Sequence, residues 1–246
     1  MHIPAFTLTT QSGQGSASNR ITDAWVYIGG AINGVYELPI TFPIIETGEQ
    51  DIQIFAGIRN NGIRSNPIIY PFFQPFSLKK KLENGRVDTL RPSTTYFSDA
   101  QFLINETFEN ALLFDQNRDN KPLLSFTRTD GFEGKSAKMS LSKGESFEKA
   151  SSLKVPFSSA VRDIFLELNY KTDALLSVGV MNSVTNEVIT KITLTPRAEW
   201  NKTYINLVNE IRDLRATNYQ IILRGVLPDS LNTGAVFIDN VKLIQR

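Results

Sequence analysis

Strict alternation of apolar residues restricts this chain more than any other feature. Ile164, Leu166, Leu168 and Tyr170 occupy every second position, as do Leu176, Val178 and Val180, and again Tyr219, Ile221 and Leu223. Successive side chains of a strand point to opposite faces, so a period of two predicts half-buried β-strands over these segments. Ala24, Val26 and Ile28 repeat the pattern near the start, but Trp25 and Tyr27 lie between them. With both faces apolar, a strand covered on two sides is expected there. Turn dipeptides such as Gly29-Gly30, Asn33-Gly34 and Asn84-Gly85 separate the apolar segments, and they tolerate the positive φ of tight hairpins. Only residues 207–216, with Leu207, Ile211 and Leu214 on one side, fit a helical turn or two. The expected class is all-β.

The spacing of these strands divides the chain. Residues 1–20 read as a flexible leader, because positions 7–18 are nearly all Thr, Gln, Gly, Ser and Ala, too polar to offset the entropy of ordering. Residues 21–97 hold short strands at 35–38, 50–55 and 76–82, which predicts a small N-terminal β-sandwich or open barrel. Residues 98–246 contain a polar loop at 115–121, a strand at 123–127, the long alternating strands and a closing strand at 236–243. That pattern suits a jelly-roll β-sandwich.

Composition removes several functions. The chain has no Cys, so disulfides, thiolate metal sites and cysteine nucleophiles are excluded. Its one His, His2, leaves no Ser–His–Asp relay and no paired-His metal motif. Lys and Arg number 26 against 25 Asp and Glu, without the basic excess of a nucleic-acid binder. There is no run of about 20 apolar residues to span a bilayer as a helix. No Walker loop, GxGxxG or GxSxG motif occurs. A non-enzymatic role is expected.

Three stretches resemble the galactose-binding-like jelly rolls, which include many carbohydrate-binding modules. They are Glu106-Thr107-Phe108-Glu109-Asn110, the segment from Gly131-Phe132-Glu133-Gly134 to Met139, and Val236-Phe237-Ile238-Asp239-Asn240-Val241. Trp200, ahead of Lys202-Thr203-Tyr204, also fits that family. The segments Thr22-Asp23-Ala24-Trp25 and Tyr36-Glu37-Leu38-Pro39, preceded by Gly13-Gln14-Gly15-Ser16, are similar to surface lipoproteins of Bacteroidota with an immunoglobulin- or transthyretin-like N-terminal domain. That second resemblance implies a signal peptide and lipidated Cys upstream of Met1. It also implies anchoring in the outer membrane, on the cell surface, through an N-terminal lipid. The expected role is an accessory or scaffold subunit that contacts outer-membrane proteins or other envelope lipoproteins. The alternative is a surface carbohydrate-binding protein using the C-terminal jelly roll.

Candidate site residues follow. By resemblance, Glu109 and Asp239 sit where such jelly rolls hold a structural Ca²⁺, a hard cation that takes several oxygen ligands. The competing reading makes Glu109 a solvated edge residue and Asp239 a turn cap. Trp200, between Glu199 and Asn201, is the candidate for stacking on a sugar, although the family usually packs that position inward. Trp25, within an apolar strand, reads as core. No other cluster of exposed aromatic residues is evident. The segment from Ile68 to Phe76 is the most apolar in the chain, and its Tyr70, Phe72 and Phe73 either dock a partner or pack internally. Lys79-Lys80-Lys81 reads as the solvated side of a strand.

Overall fold

A computed structural model describes residues 1–120 and 124–246, so Lys121 and Leu123, within the loop and strand expected there, lie outside the described residues. The chain forms two compact units, Met1–Ser12 with Ala17–Ala100, and Gly13–Ser16 with Gln101–Arg246. The division after Ala100 lies a few residues beyond the change of texture expected at 97/98.

In the first unit the strands are β1 (His2–Ile3), β2 (Thr7–Leu8), β3 (Asp23–Ile28), β4 (Ala31–Glu37), β5 (Ile40–Thr41), β6 (Gly48–Arg59), β7 (Pro67–Ile69), β8 (Phe76–Leu82) and β9 (Ser93–Thr94). One sheet runs β4-β3-β6-β7, with β8 also pairing on β6, and two small ribbons join β1 to β5 and β2 to β9. Ala24, Val26, Ile28, Ile52, Ile54, Ala56 and Ile58 are buried, as their alternation requires. The opening residues differ from the leader expected of them. They supply β1 and β2, and Ile3, Phe6 and Leu8 are buried. Sparse apolar residues in a polar segment do not advertise the partners they meet only in the fold.

The second unit contains β10 (Gln101–Glu106), β11 (Gln116–Asn117), β12 (Thr127–Asp130), β13 (Lys135–Ser142), β14 (Ser146–Ala150), β15 (Val155–Pro156), β16 (Ile164–Thr172), β17 (Leu175–Asn182), β18 (Val188–Leu194), β19 (Arg197–Asn206), α1 (Val208–Asp213), β20 (Asn218–Val226) and β21 (Thr233–Gln245). β13 pairs with β21, β14 with β20, β16 with β19 and β17 with β18. The chain is thus a long ribbon paired with itself and wound into two sheets, which is a jelly roll. One sheet runs β12-β13-β21-β16-β19 with β10 also on β21, and the other runs β11-β14-β20-β17-β18 with β15 on β20. Leu166, Leu168, Tyr170, Val178, Ile221, Leu223, Val236 and Ile238 fill one core. The short helix α1 buries Ile211, and Leu207 and Leu214 flank it.

The Gly-rich segment Gly13–Ser16 belongs to this second unit and is not free chain. Asn105 Nδ2 donates to the Gly13 carbonyl at 2.9 Å, and Lys242 Nζ donates to the Ser16 carbonyl at 2.5 Å. Gly15 has φ +69°, and a Cβ there would collide with the Asn105 side chain. Glycine serves here for close approach, not for freedom.

Candidate functional site

The outward face of the sheet β12-β13-β21-β16-β19 carries the candidate site. Val236 and Ile238 enter the core, so Phe237 between them must point out. Its cross-strand partners are Lys138 on β13 and Lys171 on β16. Trp200 follows on β19, opposite the irregularity between Tyr170 and Thr172. Lys138, Phe237, Lys171 and Trp200 therefore form one row across four strands, roughly 4.8 Å apart from strand to strand.

Aromatic contacts extend this row. Trp200 lies edge-on to Phe237, with ring centroids 6.3 Å apart, and to Phe132 at 6.1 Å. Phe132 stands in the turn joining β12 to β13 and is 44% exposed. The Lys171 ammonium lies 4.5 Å from the Phe237 centroid and 5.5 Å from that of Trp200, while Lys138 Nζ lies 5.5 Å from Phe237. Trp200, Phe237 and both lysines are half-buried. The sequence marked Trp200 as able to face outward. Alternation alone also sends Phe237 out, but only the register brings Phe132 and the two lysines beside it. The aromatic cluster absent from the sequence reading is thus formed across strands.

Glu109 and Asp239 meet on the turn that holds Phe132. Asp239 Oδ2 accepts hydrogen bonds from the Phe132 and Glu133 amides, both at 3.0 Å, and Oδ1 accepts from Asn240 N at 2.7 Å. Glu109 Oε1 accepts from Lys135 N at 2.7 Å. A Cβ on Gly131 would come within 2.8 Å of Asp239 Oδ2, and Gly134, at φ +56°, lies against the Glu109 carboxylate. These carboxylates face N–H donors, whereas Ca²⁺ requires six to eight converging oxygens. Among the described residues, no group of three or more His, Cys, Asp or Glu could hold a metal. The expected calcium pair does not fit the ion. It clamps a turn instead. Asp239 is fully buried, and burial lifts its pKa to about 6 despite the three amides that stabilise its charge, with Glu133 repelling it slightly. Asn240, at φ +47°, sits in the irregularity that lets β21 turn this carboxylate toward the loop.

Further along the same face the environment changes. Lys202 Nζ lies 3.0 Å from Glu167 Oε2, with both side chains buried. Lys242 is Glu167's cross-strand partner and is also buried. Burial pushes its pKa down to about 8. The attraction of Glu167 opposes that fall, and the like charge of Lys202 adds to it.

The other candidates are placed elsewhere. Trp25 is half-buried on the outward face of the first unit's sheet, between Val35 and Phe55, and Tyr27 packs edge-on to Phe55 at 5.3 Å. It is not on the core side, because Ala24, Val26 and Ile28 hold that face. Tyr70, Phe72 and Phe73 are 0–2% exposed and offer no docking surface. They form a ring cluster in which Tyr70 and Phe73 lie 4.7 Å apart and Phe73 lies 5.0 Å from Tyr96. Lys79, Lys80 and Lys81 pair with Asp51, Asp88 and Glu83 along β8. His2 is bound to Thr41 Oγ1 at 2.9 Å. The outward face of the jelly roll's other sheet holds a groove of about 260 Å³ lined by Glu148, Ser177, Thr190 and Arg224, with no aromatic ring in its lining.

No known family and no curated protein matches the chain. Among solved structures it is distantly similar to the family 11 carbohydrate-binding module from Clostridium thermocellum in complex with a beta-1,3-1,4-mixed-linked tetrasaccharide. That match has 17% identity and a TM-score of 0.41, and covers 58% of this chain and 94% of the module. It is also similar to a family 29 carbohydrate-binding module, at 14% identity and a TM-score of 0.37, covering 59% of this chain and 88% of the module.

Proposed function

We propose that this is a non-catalytic surface glycan-binding protein whose jelly roll receives a saccharide on the Phe132, Phe237 and Trp200 cluster. The observation that carries the reading is three aromatic rings gathered on the outward side of a six-stranded sheet, two on its strands and one on the turn beside them. Rings provide an apolar surface for the C–H faces of pyranoses, and a sheet backbone holds them in place at little entropic cost. The Asp239 and Glu109 clamp fixes the turn that presents Phe132. A glycan array probed with the wild-type protein and Trp200→Ala tests the reading. The wild type binds at least one glycan class and the variant loses most of that binding; an array blank for the wild type removes the proposal.

One feature of the first unit favours a second reading, an envelope accessory subunit held by a lipid anchor and contacting outer-membrane proteins or other lipoproteins. Beside Trp25, Tyr27 and Phe55, Ile32 is 55% exposed and Val35 39% exposed, and apolar surface of this kind supports protein contacts. Co-purification from native membranes checks it. A partner retained by the wild type and lost in Ile32→Asp supports it, and recovery without any partner opposes it.

A further inference from the structure

We infer that the glycan received at this site is acidic, a polysaccharide bearing carboxylate or sulfate groups, and that Lys138 and Lys171 select it. This rests on the glycan reading above and adds the chemistry of the ligand.

Both ammonium groups lie over the single ring of Phe237, one from β13 and one from β16. Among the described residues neither forms an ion pair with a carboxylate or donates a hydrogen bond to an oxygen, although most other lysines of the chain do. Glu199, next to Trp200, is exposed and pairs with neither. The ring's negative face holds each cation weakly, contributing about 0.5–1 kcal/mol at an exposed site. Two like charges on one ring repel each other, and no carboxylate among the described residues pairs with either. An anion placed over Phe237 would be attracted by both. Rings at Trp200 and Phe132 beside that point supply the stacking surface that a sugar carrying the anion would use. A free phosphate or acidic peptide would leave those rings unused.

Because one chemistry has two sources, the experiment separates them. Binding of the full chain is measured by calorimetry and affinity electrophoresis against polygalacturonate (carboxylate), heparin (sulfate) and mixed-linked β-glucan (neutral). Wild type, Lys138→Ala, Lys171→Ala, the double variant and Trp200→Ala are compared. At least one acidic polymer is expected to bind and the neutral one to bind at least tenfold more weakly. Each lysine variant weakens acidic binding by about threefold to tenfold, the double variant abolishes it, and raised salt weakens it in step. Circular dichroism confirms that the variants fold, and Lys171→Arg retains binding. Neutral glucan bound as tightly as the acidic polymers, with no effect of the lysine variants, overturns this inference and leaves the glycan reading standing. Failure of every polysaccharide overturns both. Lys79→Ala/Lys81→Ala on the first unit serves as the control for general charge, and a loss equal to that of the double variant also overturns selection by Lys138 and Lys171.

Discussion

Four lysines project from one face of one sheet, and the face treats them as two pairs. Lys202 and Lys242 are buried, with Glu167 between them as counter-ion and the Ser16 carbonyl as a further acceptor. Lys138 and Lys171 are half-buried, lie over aromatic rings and have no carboxylate partner among the described residues. Burying an ammonium costs several kcal/mol unless it is paired, whereas a half-exposed one keeps much of its hydration. The first pair is therefore part of the structure, and the second is left available. Within one sheet, the same side chain changes role between cross-strand rows two to four residues apart along β16.

The strongest test of this division is the counter-ion. Glu167→Gln is expected to cost about 3–5 kcal/mol, because it leaves two buried ammoniums without their counter-ion. Lys171→Ala is expected to cost less than about 1 kcal/mol. Urea unfolding of both variants compares them, and equal losses would erase the distinction. Asp239, at the border between the two halves, comes next. Its pKa rises on folding from 3.8 to about 6, so its contribution is fully present below pH 3.8 and is lost as pH rises through 6. Asp239→Asn, which carries no such charge, should gain on the wild type between pH 4 and pH 7 by at most about 3 kcal/mol. Paired urea midpoints at the two pH values measure it, and a constant difference would contradict the burial of this carboxylate.

A smaller loss is expected from Gly15→Ala. Its positive φ and the crowding against Asn105 predict about 1–2 kcal/mol, with earlier amide exchange around Asn105 and Lys242 as the local sign. Intact exchange protection there would return Gly13–Ser16 to a passive tether. Smallest in stability and largest in function is Trp200→Ala. Half-buried on an outward face, it should shift the unfolding midpoint only slightly while removing glycan binding. A large destabilisation would move Trp200 from the ligand face into the structural half of the comparison.

Much of the architecture was legible in the residues. Ile164 to Tyr170, Leu176 to Val180 and Tyr219 to Leu223 are strands in the positions their alternation requires, and 207–216 holds the short helix. The closing segment 236–243 is a strand as expected, and only the structure adds the irregularity at Asn240, where the backbone takes the left-handed conformation that Asn tolerates. At other positions only the fold decides, for physical reasons. Tyr70, Phe72 and Phe73 are apolar enough for either a docking patch or a core, and only the fold shows them buried. Glu109 and Asp239 have the chemistry of calcium ligands, yet their oxygens meet amides because the turn between β12 and β13 folds onto them. Trp25 lies in an apolar strand, but alternation assigns it to the face opposite the core.

The period-two pattern, the turn dipeptides and the absence of Cys and of all but one His were sufficient for an all-β chain with no cysteine chemistry and no paired-histidine site. They also fixed which face of each strand a residue occupies, because that parity is local. They could not fix which residues of different strands stand side by side. Lys138, Lys171, Lys202 and Lys242 all have outward parity and are alike in sequence. Cross-strand register alone set two beside Phe237 and the other two around Glu167, and that pairing decides which charges are satisfied within the fold and which remain for a ligand.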